Sequence, residues 1–343
     1  MAELALLKRE DLEKVFEPLE KIGHKDFELG SDAIFHLSVQ EVGGVPNVPV
    51  LVLNRQELPM TSDALAEMAK AVGIPEGYAN RCPKDMLFPH LEHWYKGGVQ
   101  GKVRFFTKEG KIIGCAPSTS SYHTNSEMLE QVEKAVGKEH ILGYYQPYSS
   151  LDHSLYAVVV DKNFEVSTGD MLFGGIEIQN SILGERSVEI APFIFRQICV
   201  NGAIVSENIG RWSRKSEDSN FASWVQGASV SSLQKIDGEF QRIKRLTEVP
   251  IGENPENTLR SLFLKFGIPV RTQREIIGEA VSMNNGEGPK NMYDLWNSLT
   301  YVASHSDKVS ISSARDLRCV AGDFVHEINV CSHCGSLYEK KGN

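Results

Sequence analysis

The sequence predicts an α+β fold, in which an antiparallel, hairpin-built sheet carries packed helices and is followed by a mostly helical C-terminal half. Three observations support this class. Short apolar stretches separated by glycine-bearing turns dominate the first part of the chain. Beyond residue 220 the apolar residues recur at helical spacing instead. Hydrophobic residues make up 41% of the 343-residue chain and charged residues 24%, which are the proportions of a globular protein.

The change of pattern also divides the chain. We predict an α+β domain over residues 1–209 and a helical region over residues 221–318 that packs on it. The charged segment 210–220 lies between these two parts, and its composition is typical of a loop. A cysteine-containing tail is expected over residues 319–343.

Helices in the first part are predicted from apolar side chains three and four residues apart and from capping residues. Thr61 and Asn125 stand at the starts of two such patterns as N-caps, and Gly73 and Gly137 end them. The predicted helices cover residues 10–21, 60–72, 84–95 and 125–136. The predicted strands cover residues 33–41, 48–53 and 155–160, with two more in a hairpin over 103–117.

Residues 166–205 are the most organised stretch of the sequence. We predict a strand, a glycine turn and a second strand, then a short helix over 192–200, because Pro192 suits a first helical turn. Asn201-Gly202 is expected to end this helix before a further strand. Arg196 would lie among apolar residues, where its charge requires a carboxylate, backbone carbonyls or a ligand phosphate. A structural ion pair is the favoured interpretation.

The second part of the chain is predicted to be helical throughout. Apolar residues at helical spacing predict four helices, and Gly267 with Pro269 marks the end of the second. These helices cover residues 224–246, 257–266, 271–281 and 291–304.

Charge and hydropathy limit the classes of protein. The net charge of −9 excludes a polycation that coats nucleic acid, so any such binding requires a local basic face. No apolar run approaches the length of about 18 residues that a membrane-spanning helix requires. The first residues are too charged for a secretory signal peptide. We therefore expect a cytoplasmic protein without a membrane partner.

The C-terminal tail contains the pattern Cys331-Ser-His-Cys334-Gly, which has the form of half a zinc knuckle. A closed tetrahedral site needs four ligands; Cys319 and His326 are the upstream candidates, and His333 within the pattern is another. A structural zinc ion held by Cys319, His326, Cys331 and Cys334 is one interpretation. A pair of reduced cysteines in the tail is the other.

Basic and aromatic side chains alternate in the segment between the two parts. Arg211, Trp212, Arg214 and Lys215 stand together, and two aromatic residues follow at Phe221 and Trp224. Such interleaving suits single-stranded nucleic acid, since cations hold phosphates while rings stack on bases. A second basic cluster follows on the next predicted helix. It consists of Arg242, Lys244 and Arg245. Arg196 is also a candidate binding residue, because a ligand phosphate is one of the partners that would satisfy its charge.

Four segments, in order, resemble a family of phage- and plasmid-encoded proteins known only as domain of unknown function 932. The resemblance rests on a helix followed by GIP-x-x-Y, on Ser-x-x-Tyr and Asn before a helix, on GD-x-x-x-GG with NS-x-x-G, and on an aromatic-rich C-terminal helix. These motifs lie in residues 58–83, 103–129, 166–205 and 291–305. Ala116-Pro117 and the tail after Arg318 depart from the family pattern. The resemblance implies a phage or mobile-element protein found near DNA replication and recombination functions, and it implies no catalytic residues.

These observations favour a non-enzymatic protein of DNA metabolism that binds or anneals single-stranded DNA, with a homo-oligomer as one means of extending the surface. The first alternative is a protein that binds a host factor to counter a defence system, which the acidic charge suits. The second is an unrecognised hydrolase or nuclease. It would use serines of the segment 118–123 with Asp152 and His153, which nothing in the sequence brings together.

Overall fold

The computed structural model describes residues 7–29, 35–98, 101–117, 123–147, 152–181, 187–196, 201–204, 212–214, 220–252, 255–309 and 311–327. It confirms the α+β class, because its sheets are antiparallel and its helices are concentrated in the C-terminal half. Among the described residues, no helix is both long and apolar enough to cross a membrane.

In chain order the first elements are β1 (Leu7–Lys8), α1 (Arg9–Glu20), β2 (Gly23–Leu29), β3 (Phe35–Val42), β4 (Val45–Leu53), β5 (Gln56–Pro59), α2 (Ser62–Ala71), α3 (Glu76–Ala79), α4 (Lys84–His93), β6 (Gly101–Lys108), β7 (Lys111–Pro117) and α5 (Asn125–Val136). This part of the chain contains two three-stranded sheets. One has the order β2-β6-β7 and the other the order β3-β4-β5.

A core of its own supports this first part. The Thr61 side chain accepts a hydrogen bond of 3.2 Å from the backbone N–H of Ala64, which confirms the predicted N-cap of α2. Helix α2 buries Leu65 and Met68 beneath the two small sheets. The Tyr95 ring stacks on Phe35 of β3 at 5.1 Å, which joins the chain after α4 to the same core.

In chain order the further elements are β8 (Ile141–Pro147), β9 (Asp152–Ser167), β10 (Asp170–Ser181), β11 (Val188–Arg196), β12 (Asn201–Ile204), β13 (Trp212–Arg214), α6 (Phe221–Leu246), α7 (Pro255–Lys265), α8 (Val270–Met283), α9 (Met292–His305) and α10 (Ile311–Glu327). The six further strands and β1 form a seven-stranded sheet of order β1-β8-β9-β10-β11-β12, with β13 paired to β11. The long helix α6 crosses this sheet, because an added Cβ at Gly174 of β10 would collide with Ile236 of α6.

The short helix predicted from Pro192 is wrong. Residues up to Arg196 belong to strand β11, and Asn201-Gly202 opens strand β12 instead of ending a helix. Strand β11 pairs with β13 as far as Ile190 and with β12 from Phe193, so Pro192 falls between its two partners on that side. A residue without an N–H group is tolerated where no ladder hydrogen bond is required.

Helix α10 was not predicted, and it completes the C-terminal core. Its buried Leu317, Ala321 and Phe324 pack against α9. The indole N–H of Trp296 donates a 3.1 Å hydrogen bond to the carbonyl of Ala321. The helix ends at Glu327, so the boundary expected at residue 319 lies within it.

Two buried ion clusters join the C-terminal helices to the large sheet. Arg196 of β11 contacts both carboxylate oxygens of Asp170 at 2.5 and 2.9 Å, and the Tyr293 hydroxyl of α9 donates to the same carboxylate at 2.8 Å. Arg315 of α10 donates to Glu177 of β10 at 3.0 Å and to Glu189 of β11 at 2.7 Å. Both clusters connect residues that are far apart in the sequence, so they fix the helices by charge as well as by apolar packing.

Candidate nucleic-acid interface

The end of strand β10 brings three separate parts of the chain together. Asn180 pairs with His153 across the sheet, and Ser181 pairs with Asp152. The side-chain amide of Asn180 donates to the backbone carbonyl of His123 at 2.7 Å and to Oδ1 of Asn125 at 3.0 Å. Asn180 and Ser181 form the last two residues of the strand.

The start of helix α5 holds one side of this site in place. Thr124 caps the helix, and its side chain accepts from the backbone N–H of Glu127 at 3.1 Å. The Glu127 side chain in turn accepts a 2.9 Å hydrogen bond from the backbone N–H of Thr124, and the two bonds form a capping box. The cap was predicted one residue later, at Asn125, whose side chain is thereby left for the contact with Asn180.

Three buried polar atoms of this site have no hydrogen-bond partner among the described residues. They are Nδ2 of Asn125, Oδ1 of Asn180 and Nε2 of His123. Nδ2 of Asn180 faces the carbonyl of His123, which can only accept a hydrogen bond, and Oδ1 of Asn125 faces that same Nδ2. Buried polar groups are normally satisfied, so these three atoms are the candidates for hydrogen bonding to a ligand at this site.

Aromatic rings stack beside these amides. The His123 imidazole lies 3.5 Å from the Phe221 ring at an interplanar angle of 3°, and Phe221 is the first residue of α6. The Trp224 ring is tilted by 33° against the Phe221 ring, and their centroids are 5.9 Å apart. We call His123, Asn125, Asn180, Phe221 and Trp224 the amide–aromatic cluster.

Burial lowers the pKa of His123, while the carboxylate of Glu127, 3.7 Å from Nδ1, opposes this shift. The folded protein therefore resists protonation of His123 more than the unfolded chain does. The contribution of His123 to stability is present above the ordinary pKa of about 6.5 and is lost as the pH falls through the lowered value.

We expect an NMR titration to give His123 a midpoint below that of an unfolded peptide. His123→Gln assigns the resonance, and it should weaken the loss of unfolding free energy between about pH 7 and 5. Glu127→Gln keeps the capping box and removes the opposing charge, so it should lower the His123 midpoint further. A midpoint at or above the peptide value would show that the imidazole is not desolvated as the structure indicates.

The described part of the predicted basic segment is strand β13, which is one strand removed from β10 in the large sheet. Strand β13 places Trp212 opposite Ile190 and Arg214 opposite Val188, at the end of β11 that neighbours the end of β10. Arg211 and Lys215 lie outside the described residues. In the sheet, β11 lies between β13 and the end of β10.

The second predicted basic cluster is remote from the first. The distance along α6 from Phe221 to this cluster is about 30 Å, at a rise of about 1.5 Å per residue. The cluster consists of Arg242, Lys244 and Arg245. Arg242 pairs with the buried Glu239, and the Lys244 ammonium lies 5.5 Å from the Phe164 ring, whereas Arg245 is exposed. The helix therefore separates the two basic clusters that the sequence combined.

Arg196 forms the structural ion pair that the sequence favoured for it. Its guanidinium is occupied by the buried Asp170, at the end of β11 opposite to β13. This contact supplies the carboxylate that its apolar surroundings require. We therefore no longer include Arg196 among the nucleic-acid-binding candidates.

The proposed metal ligands are described in part. Cys319 and His326 lie two turns apart on α10, and Nε2 of His326 is 2.7 Å from Oε2 of Glu239. Cys331 and Cys334 lie outside the described residues. Within the described ranges, no three His, Cys, Asp or Glu side chains are grouped as a metal site. Zinc stays a prediction.

A half-open pocket of about 270 Å³ lies away from this cluster, between the α7–α8 turn and the start of α10. Its lining combines apolar and polar side chains, and Lys308 and Asp316 supply its charged groups. Of the residues of the hydrolase alternative, His123, Asp152 and His153 lie at the end of β10, through the Asn180–His123 hydrogen bond and the pairing of β9 with β10. Residues 118–122 are outside the described part, so this alternative stays a prediction too.

Fold and site together define an α+β protein whose large antiparallel sheet ends in an amide–aromatic cluster. In comparisons with known proteins, no family model, curated protein or solved structure matches the chain. The resemblance to the phage and plasmid family therefore stays a prediction.

Proposed function

We propose that the chain is a non-enzymatic protein of phage or mobile-element DNA metabolism that binds single-stranded DNA at the amide–aromatic cluster. The observation that carries this proposal is the stack of His123 on Phe221, with Trp224 beside it, next to the buried amide groups of Asn125 and Asn180. Proteins hold unpaired bases by stacking them on aromatic rings and by hydrogen bonding to their edges. The expected setting is the host cytoplasm, in replication or recombination.

The charge distribution is compatible with such a local site. The chain carries a net charge of −9, so phosphate contacts must come from a confined group of cations. Arg214 of β13 pairs with Val188 at the end of β11 that neighbours the end of β10, and Arg211, Trp212 and Lys215 are its neighbours in the sequence. Stacking then supplies the part of the affinity that salt does not screen.

We expect labelled single-stranded DNA to bind the full chain in fluorescence anisotropy at low salt. Each base–aromatic stack contributes about 1–3 kcal/mol, so Trp224→Ala is expected to weaken binding by roughly 5- to 150-fold. Arg214→Ala should reduce the slope of log affinity against log salt by about one. Trp94→Ala is the matched control, because Trp94 is 47% exposed and lies in the first part of the chain.

Two outcomes would refute the proposal. One is an absence of binding at low salt by the folded wild-type chain. The other is an equal affinity for Trp224→Ala, Arg214→Ala and wild type. Capture of one stoichiometric host protein from lysate, without nucleic acid, would instead support the host-factor alternative that the acidic net charge favours.

A further inference from the structure

The buried hydrogen-bonding groups of the amide–aromatic cluster form a defined set. Asn125 and Asn180 are each 2% exposed, and the Asn180 amide contacts both Asn125 and the backbone carbonyl of His123. Each of these three residues retains one buried polar atom without a hydrogen-bond partner among the described residues. Because the three residues are in direct contact, their unpartnered atoms belong to one site.

The contacts between the two amides define the role of two of these atoms. Nδ2 of Asn180 donates to the carbonyl of His123, so Oδ1 of Asn180 is left as an acceptor. Oδ1 of Asn125 accepts from the same Nδ2, so Nδ2 of Asn125 is left as a donor. The two amides therefore offer one acceptor and one donor to a ligand.

The third atom, Nε2 of His123, is a second acceptor. Burial lowers the pKa of His123, so its imidazole is neutral at neutral pH and carries a single N–H proton. Nδ1 of the ring faces the Glu127 carboxylate at 3.7 Å. A carboxylate accepts hydrogen bonds and donates none, so it favours the tautomer with the proton on Nδ1. The unpartnered atoms are thus two acceptors and one donor.

The four DNA bases differ in the groups that their Watson–Crick edges present. Guanine presents two donors, N1–H and the exocyclic amino group, beside the acceptor O6. Adenine and cytosine each present one amino donor next to a ring-nitrogen acceptor, and thymine presents a single N3–H between two carbonyl acceptors. Among these bases, only guanine pairs two acceptors and one donor of the protein without leaving a buried group unsatisfied.

We propose that the amide–aromatic cluster selects guanine in single-stranded DNA, an inference that rests on the proposed DNA-binding function. Asn180 Oδ1 and His123 Nε2 accept from the two guanine donors, and Asn125 Nδ2 donates to O6. An edge contact to Nε2 holds the base in the plane of the imidazole, which is within 3° of parallel to the Phe221 ring. Another base leaves a desolvated polar atom without a partner and is rejected for that reason.

Fluorescence anisotropy of the full chain measures this selection, with oligothymidylates that carry a test base at every third position. We expect guanine to be bound about 5-fold or more tightly than hypoxanthine, which lacks only the exocyclic amino group and keeps the bicyclic stacking surface. The analogue 7-deazaguanine should match guanine, because it lacks N7 and keeps the Watson–Crick edge. It also prevents guanine quadruplexes from obscuring the comparison.

Two variants of the cluster test the assigned groups. Asn125→Asp still accepts from Asn180 but turns an oxygen towards O6, so the preference for guanine should be lost. The helix dipole favours this carboxylate in the first turn of α5. His123→Phe keeps a stacked ring and removes the second acceptor, so it should reduce the preference as well. Gln131→Glu is the matched control, because it makes the same change on the same helix and can still accept from Gln226.

The outcomes separate guanine selection from DNA binding itself. Equal affinities for guanine and hypoxanthine, in binding that still depends on Trp224, would overturn the selection and leave the DNA-binding function in place. A guanine preference that persists unchanged in both Asn125→Asp and His123→Phe would also overturn the selection. Failure of the folded chain to bind any of the oligonucleotides would overturn the proposed function together with this inference.

Discussion

Replacing Arg315 by alanine is expected to lower the free energy of unfolding by about 3–5 kcal/mol. The guanidinium lies between the carboxylates of Glu177 and Glu189, and the side chain of Glu177 is only 1% exposed. Its Oε2 atom already has no hydrogen-bond partner among the described residues. Loss of Arg315 would leave this carboxylate buried without its cation and would release α10 from the sheet.

Urea denaturation of the variants measures this effect. Glu177→Gln removes the stranded charge, so it should recover part of the loss when combined with Arg315→Ala. Lys162→Ala serves as the control because its pair with Asp237 is largely exposed, and we expect a change of about 1 kcal/mol or less. An Arg315→Ala variant as stable as wild type would show that the cluster does not hold α10 in place.

Replacing Gly174 by alanine is expected to destabilise the fold by about 1–3 kcal/mol. The added Cβ would collide with Cγ2 of Ile236 and would lie 3.0 Å from its Cδ1 and 3.2 Å from the Phe240 ring. All these atoms belong to the middle of the long helix where it crosses the large sheet. The helix would have to move away from β10, which would loosen the core that Ile236 and Phe240 share with α9 and α10.

Two companion variants test whether this close approach is the cause. Gly238→Ala, on the same helix, faces open space and should instead stabilise the protein by about 1 kcal/mol or less. Ile236→Ala removes the colliding atoms, so its cost combined with Gly174→Ala should be smaller than the sum of the two single costs. Additive costs would mean that α6 does not press on the sheet at Gly174.

The parts of the fold that could be predicted depend on local signals. Thr61 and Gly137 mark helix ends through capping and backbone freedom, and the helices next to them begin and end within two residues of the prediction. Strand β11 could not be recognised, because Phe193, Ile194 and Phe195 form a continuous apolar run that suits a buried strand or a helix equally. Its pairing with β10 and β12 decides the conformation.

The candidate site was missed for a related reason. Asn180 and His123 are 57 positions apart, and a hydrogen bond between them depends on how β10 packs beside the start of α5. The sequence did supply one signal. The Asn residues of two motifs, Asn125 and Asn180, both belong to segments that carry the family resemblance. Their contact through Asn180 Nδ2 is a property of the folded chain alone.

Photochemical crosslinking tests the proposed DNA-binding site most directly. Full-length protein would be irradiated with single-stranded DNA that carries 5-iodouracil at defined positions, and the crosslinked peptides would be mapped by mass spectrometry. A base held by stacking brings the reactive carbon against an aromatic ring. We predict adducts at Trp224, Phe221 or His123, or at Trp212 on the adjacent strand. Adducts confined to Trp94 or other distant residues, or none at saturating DNA, would contradict the account.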